Sequence, residues 1–327
     1  MPTPSALPAL PALPGSSPVA GSGPAEPGVL DGLLDGGAAL AGVPIGAALA
    51  AHHELGAGPW RDLLGPLLVP ARDAERLQAA LATGDLGLPV LLVADSAGGT
   101  RDPLESLRAA RSVLLDDDRV ELIGARLPLP PIADPTLAAR ALLAALDLSV
   151  PAWVQVRPGP GAAAVLEELA ADGAENLCLD LTGIDSTGSD PIGRGDPTGI
   201  DPTGRGYGLA RLLRRAIDLD LTFRIGSAPL ASMPGGGVHR SGSTPGLLNL
   251  LCAVRAALNG AEEADLTEIL AASGPDPLVS AVRRMSSADA AVARAFLTAV
   301  QVSDPAAALG ELATLGLLEH GLPEHGL

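Results

Sequence analysis

Arg126, Arg157 and Arg224 lie at the ends of three separate β-rich runs. Three guanidinium groups brought together from three strand ends would hold a carboxylate or phosphate through paired N–H donors, and Ser227, just past Gly226, would add a hydroxyl to that anion site. Asp95 and Asp180 end two further runs and are the candidate carboxylates for general acid–base work. His239 sits in Met233-Pro-Gly-Gly-Gly-Val-His-Arg-Ser-Gly242, where successive backbone N–H groups could cradle an anion beside an imidazole; a plain flexible Gly/Ser loop is the competing reading. Side-chain alternation places Gln155 on the face of Arg157, Cys178 and Thr182 on that of Asp180, and Thr222 and Gly226 on that of Arg224.

Other chemistries find no footing. All 21 basic residues are Arg, so Schiff-base catalysis, pyridoxal phosphate attachment and a P-loop lack the Lys they require. Cys178 and Cys252 stand in neither a CxxC nor a Cys/His ligand spacing, and no GxSxG occurs. His52 and His53 are adjacent and diverge on a helix, while His320 and His325 fall in a short tail repeat. No motif supports a nicotinamide, flavin or haem group, and a divalent metal could be held only if Asp95, Asp180 and His239 met in space. Asp185, Asp190, Asp196 and Asp201 open four near-copies of Asp-Pro-Thr-Gly; hard cations like such oxygens, but the spacing fits neither an EF-hand nor a GGxGxD repeat, and low complexity is the simpler account.

The elements that must position these residues are clearly punctuated. Asp102-Pro103, Asp134-Pro135, Asp276-Pro277 and Asp304-Pro305 each predict an N-cap followed by a proline at the first helical position, and Thr244-Pro245 does the same. Gly84, Gly173, Gly260 and Gly316 follow helical runs as stops. Strands are expected at 64–69, 88–94, 120–126, 150–157, 176–182, 221–226 and 297–302. The first five start at 64, 88, 120, 150 and 176, which is the repeat length of a βα unit, and their continuous apolar runs suit strands covered on the outside by helices. Seven strands, with an eighth hidden among weak N-terminal signals, predict an α/β fold of the (β/α)8-barrel type. An open doubly wound sheet is the alternative, although Val69-Pro70-Ala71-Arg72 is no GxGxxG.

The 327 residues are 47% apolar, enough for a sizeable core, and carry a net charge of −17, which repels phosphate backbones and anionic lipid. Nucleic-acid and membrane-surface roles are therefore not expected. Residues 1–28, rich in Pro and Ala, read as a disordered arm without the features of a signal peptide. Residues 29–327 read as one domain carrying the low-complexity loop 183–208 and a helical insertion at 261–295. A cytoplasmic location is the expectation for a chain with two unpaired cysteines.

The segments Val29-Leu-Asp-Gly-Leu-Leu-Asp, Trp60-Arg-Asp-Leu-Leu-Gly-Pro-Leu-Leu-Val-Pro, Leu247-Leu-Asn-Leu-Leu and the Leu- and Gly-rich stretch at 309–318 resemble a family of uncharacterised proteins from high-GC actinobacteria. The resemblance spans residues 29–318 and implies a barrel-like βα order but no known activity. It also implies a His pair after the sixth strand, which Phe223–Ala231 of this chain lacks. The residues as a whole point to binding, with or without turnover, of a small anionic metabolite at the strand ends. A non-catalytic barrel serving as a binding or scaffold protein is the alternative, and neither substrate nor oligomeric state is legible.

Overall fold

The computed structural model describes residues 28–83, 87–94, 102–147, 149–174, 176–181, 204–226, 245–272 and 274–318, with 204–207 described by backbone alone. The N-terminal arm through residue 27, the Asp-Pro-Thr-Gly repeats, Asp95, Thr182, Ser227, His239 and the His320–His325 tail lie outside them.

Eight parallel strands close into a barrel in sequence order. They are β1 (Leu34–Gly36), β2 (Leu64–Pro70), β3 (Leu88–Val93), β4 (Val120–Pro128), β5 (Ala152–Val156), β6 (Asn176–Asp180), β7 (Thr222–Gly226) and β8 (Leu297–Val302), and β8 pairs back onto β1. The barrel expectation holds, and the open-sheet alternative falls on the β1–β8 pairing. The missing eighth strand is β1, three residues with an aspartate at the centre. Asp is a poor strand former, so the periodicity of the run is too short to read, and the ladders to β2 and β8 are what define it.

Helices α1 (Ile45–Gly56), α2 (Ala74–Ala80), α3 (Pro103–Leu114), α4 (Pro135–Ala145), α5 (Ala162–Ala171), α6 (Gly204–Asp218) and α7 (Leu247–Leu258) follow β1 to β7 in turn. The insertion after α7 is three helices, α8 (Glu263–Ala271), α9 (Pro275–Arg283) and α10 (Ser287–Phe296), and α11 (Pro305–Thr314) closes the described chain after β8. The final residues of the segment at 183–208 belong to the first turns of α6.

Three of the aspartate caps form as expected. Asp102 accepts from the N–H of Leu104, Asp134 from those of Thr136 and Leu137, and Asp304 from that of Ala307. Two cap positions differ. Helix α9 begins two residues earlier than expected, at Pro275 behind Gly274, leaving Asp276 within the first turn, because Pro275 already carries the preset φ that a first helical residue needs. Helix α7 is capped by Gly246, whose N–H donates to the Asn249 side chain, and not by Thr244. Gly173 and Gly260 end α5 and α7 at φ of +73° and +84°, a left-handed turn that a Cβ would oppose.

The strands divide the core in two. Outward-facing Leu, Val and Ala side chains pack under the helices as one large apolar cluster that includes Leu67, Val69, Val90, Leu92, Val154, Leu177, Leu179, Ile225 and Val300. Inside the barrel, only Leu68, Leu91, Val93, Trp153 and Cys178 form a small apolar group. Other interior positions carry the polar side chains Asp35, Arg126, Gln155, Asp180, Arg224 and Gln301, which build the site. Among the described residues no helix is long and apolar enough to cross a membrane.

Candidate functional site

Register sets which side chains share the barrel interior. In a parallel sheet, paired residues face the same way, and the pairs Arg126↔Trp153, Gln155↔Cys178, Cys178↔Arg224, Arg224↔Ala299 and Asp35↔Gln301 carry one inward face round from β4 to β1. The interior polar groups are therefore neighbours despite separations in sequence of up to 189 residues.

They fall into two sets. In the first, Arg224 Nη1 donates to Asp35 Oδ2 at 2.6 Å, and the guanidinium lies 4.5 Å over the ring of Trp153. This is a charge-assisted bond combined with a cation–π contact. Burial pushes the Asp35 carboxyl above its ordinary value, and Arg224 pulls it back down. Asp35 Oδ1, Arg224 Nε and Trp153 Nε1 have no hydrogen-bond partner. Two glycines make the room: a Cβ on Gly65 would strike Asp35 Oδ1, and one on Gly124 would strike the Trp153 ring.

The second set holds Arg126, which reaches from β4 past Gly226 on β7 to Gln301 on β8. Its Nη1 donates to Gln301 Oε1 at 2.6 Å, and a Cβ on Gly226 would approach that nitrogen to 3.2 Å. Arg126 is 7% exposed, its Nε has no partner, and no carboxylate lies within ion-pair distance of it among the described residues. Beside it, Asp180 Oδ2 accepts from Gln155 Nε2 at 2.6 Å and from Arg157 Nε at 3.0 Å. Asp180 is buried, while the Arg157 side chain is 69% exposed, so this pair runs from the interior to the rim. Cys178 Sγ lies 3.9 Å from Arg126 Nη1, but burial pushes its thiol up, which suits an inert group better than a nucleophile.

A cavity of about 620 Å³ opens over the second set at the carboxyl end of the barrel. Its polar lining is Arg72, Arg126, Gln155, Arg157 and Gln301, and no carboxylate lines it among the described residues. Arg72 comes from the single 3-10 turn Ala71–Asp73 that leaves β2. Of the arginines expected from sequence, Arg126 and Arg157 share this cavity. Arg224 does not line it; it is held in the first set by Asp35. Asp180 is bonded to two lining residues, whereas Asp95, Ser227 and His239 fall on segments outside the described residues.

The sequence pattern missed Asp35 and the contribution of Arg72. Asp35 had a usable signal: β1 starts at Leu34, 30 residues before Leu64, the same interval as between later strands. Arg72 had none, since a residue in a turn has no periodicity to mark its direction. His52 is a buried side chain of α1, with burial lowering its pKa to about 4. Among the described residues no three His, Cys, Asp or Glu side chains cluster as a metal site requires. No protein-family model matches the sequence, and no curated protein matches it.

Proposed function

We propose that this protein binds a small carboxylate or phosphate metabolite at the carboxyl ends of its strands, with Arg126 at the centre of the anion site and Arg157 and Arg72 at its edge. The observation that carries this reading is Arg126 itself: a buried guanidinium lining a cavity, with an unpartnered Nε and no carboxylate within ion-pair distance of it among the described residues. Leaving a buried charge unpaired costs several kcal/mol, so such a group is retained where an anion completes it. Ligands of (β/α)8 barrels bind at this end of the strands, and about 620 Å³ suits a small metabolite. A barrel with a purely structural interior would fill this mouth with Leu and Ala.

Turnover of the metabolite would call on a proton carrier. Asp180, fixed by Gln155 and Arg157 next to the cavity, is the described carboxylate suited to that role, and Asp95 and the loop around His239 are the remaining candidates. Thermal unfolding in the presence of a panel of carboxylates and phosphates tests the binding reading, because a ligand held only by the native state raises the melting temperature. The wild type should shift with at least one class of anion, and Arg126→Met should abolish the shift. If no anion moves the wild type, or if Arg126→Met responds as strongly, the reading fails.

A further inference from the structure

The cavity has two chemically distinct sides, and the contrast selects among anions. Its wall is built by Leu40, Pro128, Leu129, Pro131, Pro135 and Pro160. Proline has no N–H and leucine has no side-chain polar atom, so this wall donates no side-chain hydrogen bond and four of its backbone positions donate none either. Close by in sequence, Ile132, between β4 and α4, and Leu137, in the first turn of α4, are large apolar side chains exposed at 39% and 54%.

Among the described residues, the arginines of the polar side differ in their pairing. Arg157 is paired with Asp180 at 3.0 Å and Arg72 lies 3.8 Å from Asp73, whereas Arg126 has no carboxylate within ion-pair distance among the described residues. Arg can only donate, so the bond from Arg126 fixes the Gln301 amide with its oxygen toward the guanidinium, leaving the Gln301 Nε2 group as a further donor. A planar guanidinium beside an amide N–H is a receptor for a single planar carboxylate.

Resting on the anion-site reading above, we infer that the ligand is a monocarboxylic acid with an aliphatic or aromatic body, its carboxylate on Arg126 and its body along the proline–leucine wall. A sugar phosphate or nucleotide fits this arrangement poorly. Its second negative charge lacks a buried partner, and its hydroxyls would be buried against a wall poor in donors, at about 1–3 kcal/mol for each group left unsatisfied.

Calorimetric titration of the full chain with acetate, butyrate, hexanoate and octanoate, with inorganic phosphate, glycerol phosphate and octanol alongside, tests this directly. Affinity should rise about fourfold per methylene until the wall is covered. Octanol should bind far more weakly than octanoate, Arg126→Met should lose octanoate, and Leu129→Asn should flatten the rise with chain length. If phosphate or glycerol phosphate binds and the acids show no gain with length, the inference falls while the anion site stands. If no anion binds, both fall. Equal binding of octanol and octanoate, unaffected by Arg126→Met, would mark non-specific apolar uptake and overturn the inference as well.

Discussion

Arg224 and Arg126 enter the same barrel from strands facing one another, and the chain treats them in opposite ways. Arg224 is closed off: a carboxylate at 2.6 Å, an indole ring beneath it, and a place outside the cavity. Arg126 is the more buried of the two, meets an amide oxygen and the Cys178 sulfur with no carboxylate within ion-pair distance among the described residues, and lines the cavity. A buried charge with its partner in the chain is a structural component, whereas one without is incomplete until something else arrives. On the proposed reading the two sets of interior residues differ in purpose, although they are built from similar residue types.

The comparison can be broken most sharply at Asp35. Asp35→Ala should destabilise the fold by about 3–5 kcal/mol, since it strands Arg224 as an uncompensated buried charge. Urea unfolding midpoints would show it, and a loss below 1 kcal/mol would mean that Arg224 is not structurally held by Asp35. The next effect belongs to His52, which lies in the helix layer outside the barrel and shows burial acting on a titratable group with an unpartnered Nδ1. Its pKa is about 4 in the fold against 6.5 ordinarily, so between those values the unfolded chain binds the extra proton. Stability is therefore full above about pH 6.5 and falls as pH drops toward 4, by about 3 kcal/mol in all. Unfolding free energies of wild type and His52→Gln, measured at several pH values, should diverge by this total between about pH 6.5 and 4, and parallel curves would contradict it.

Smaller effects separate the two interior sets through their glycines. Gly65→Ala should cost about 1–3 kcal/mol by pushing a methyl into Asp35. Gly226→Ala makes looser contacts, 3.1 Å to Cys178 Sγ and 3.2 Å to Arg126 Nη1, so it should cost less stability while weakening anion binding. Equal stability losses with unchanged binding would remove the distinction. The smallest expected change in stability is that of Arg126→Met, within about 1 kcal/mol of wild type: one hydrogen bond to Gln301 is lost, and an unpaired buried charge goes with it. A loss as large as that of Asp35→Ala would show Arg126 to be structural after all.

Much of the barrel is legible from spacing. Aspartate–proline caps at 102, 134 and 304 and apolar runs recurring at the length of a βα unit give seven of the strands and the helices between them. β1 shows no period of its own, because it has only three residues, so Asp35 could be reached only through the 30-residue interval to β2. For the site, strand position is enough to bring Arg126, Arg157 and Asp180 forward as candidates. Alternation alone cannot tell Arg224 from Arg126, since both face inward.

The sequence by itself determined the local terms: where helices begin, which runs pair as parallel strands, and which charged residues stand at strand ends. These depend on interactions a few residues long, so composition and spacing carry them. Only the tertiary structure decided which charges cancel. Closure brings Asp35 to Arg224 across 189 residues and Gln301 to Arg126 across 175, and it leaves Arg126 facing a cavity walled by proline and leucine. Whether a buried charge is satisfied depends on distances of about 3 Å between chain segments far apart in sequence, and no local pattern encodes them.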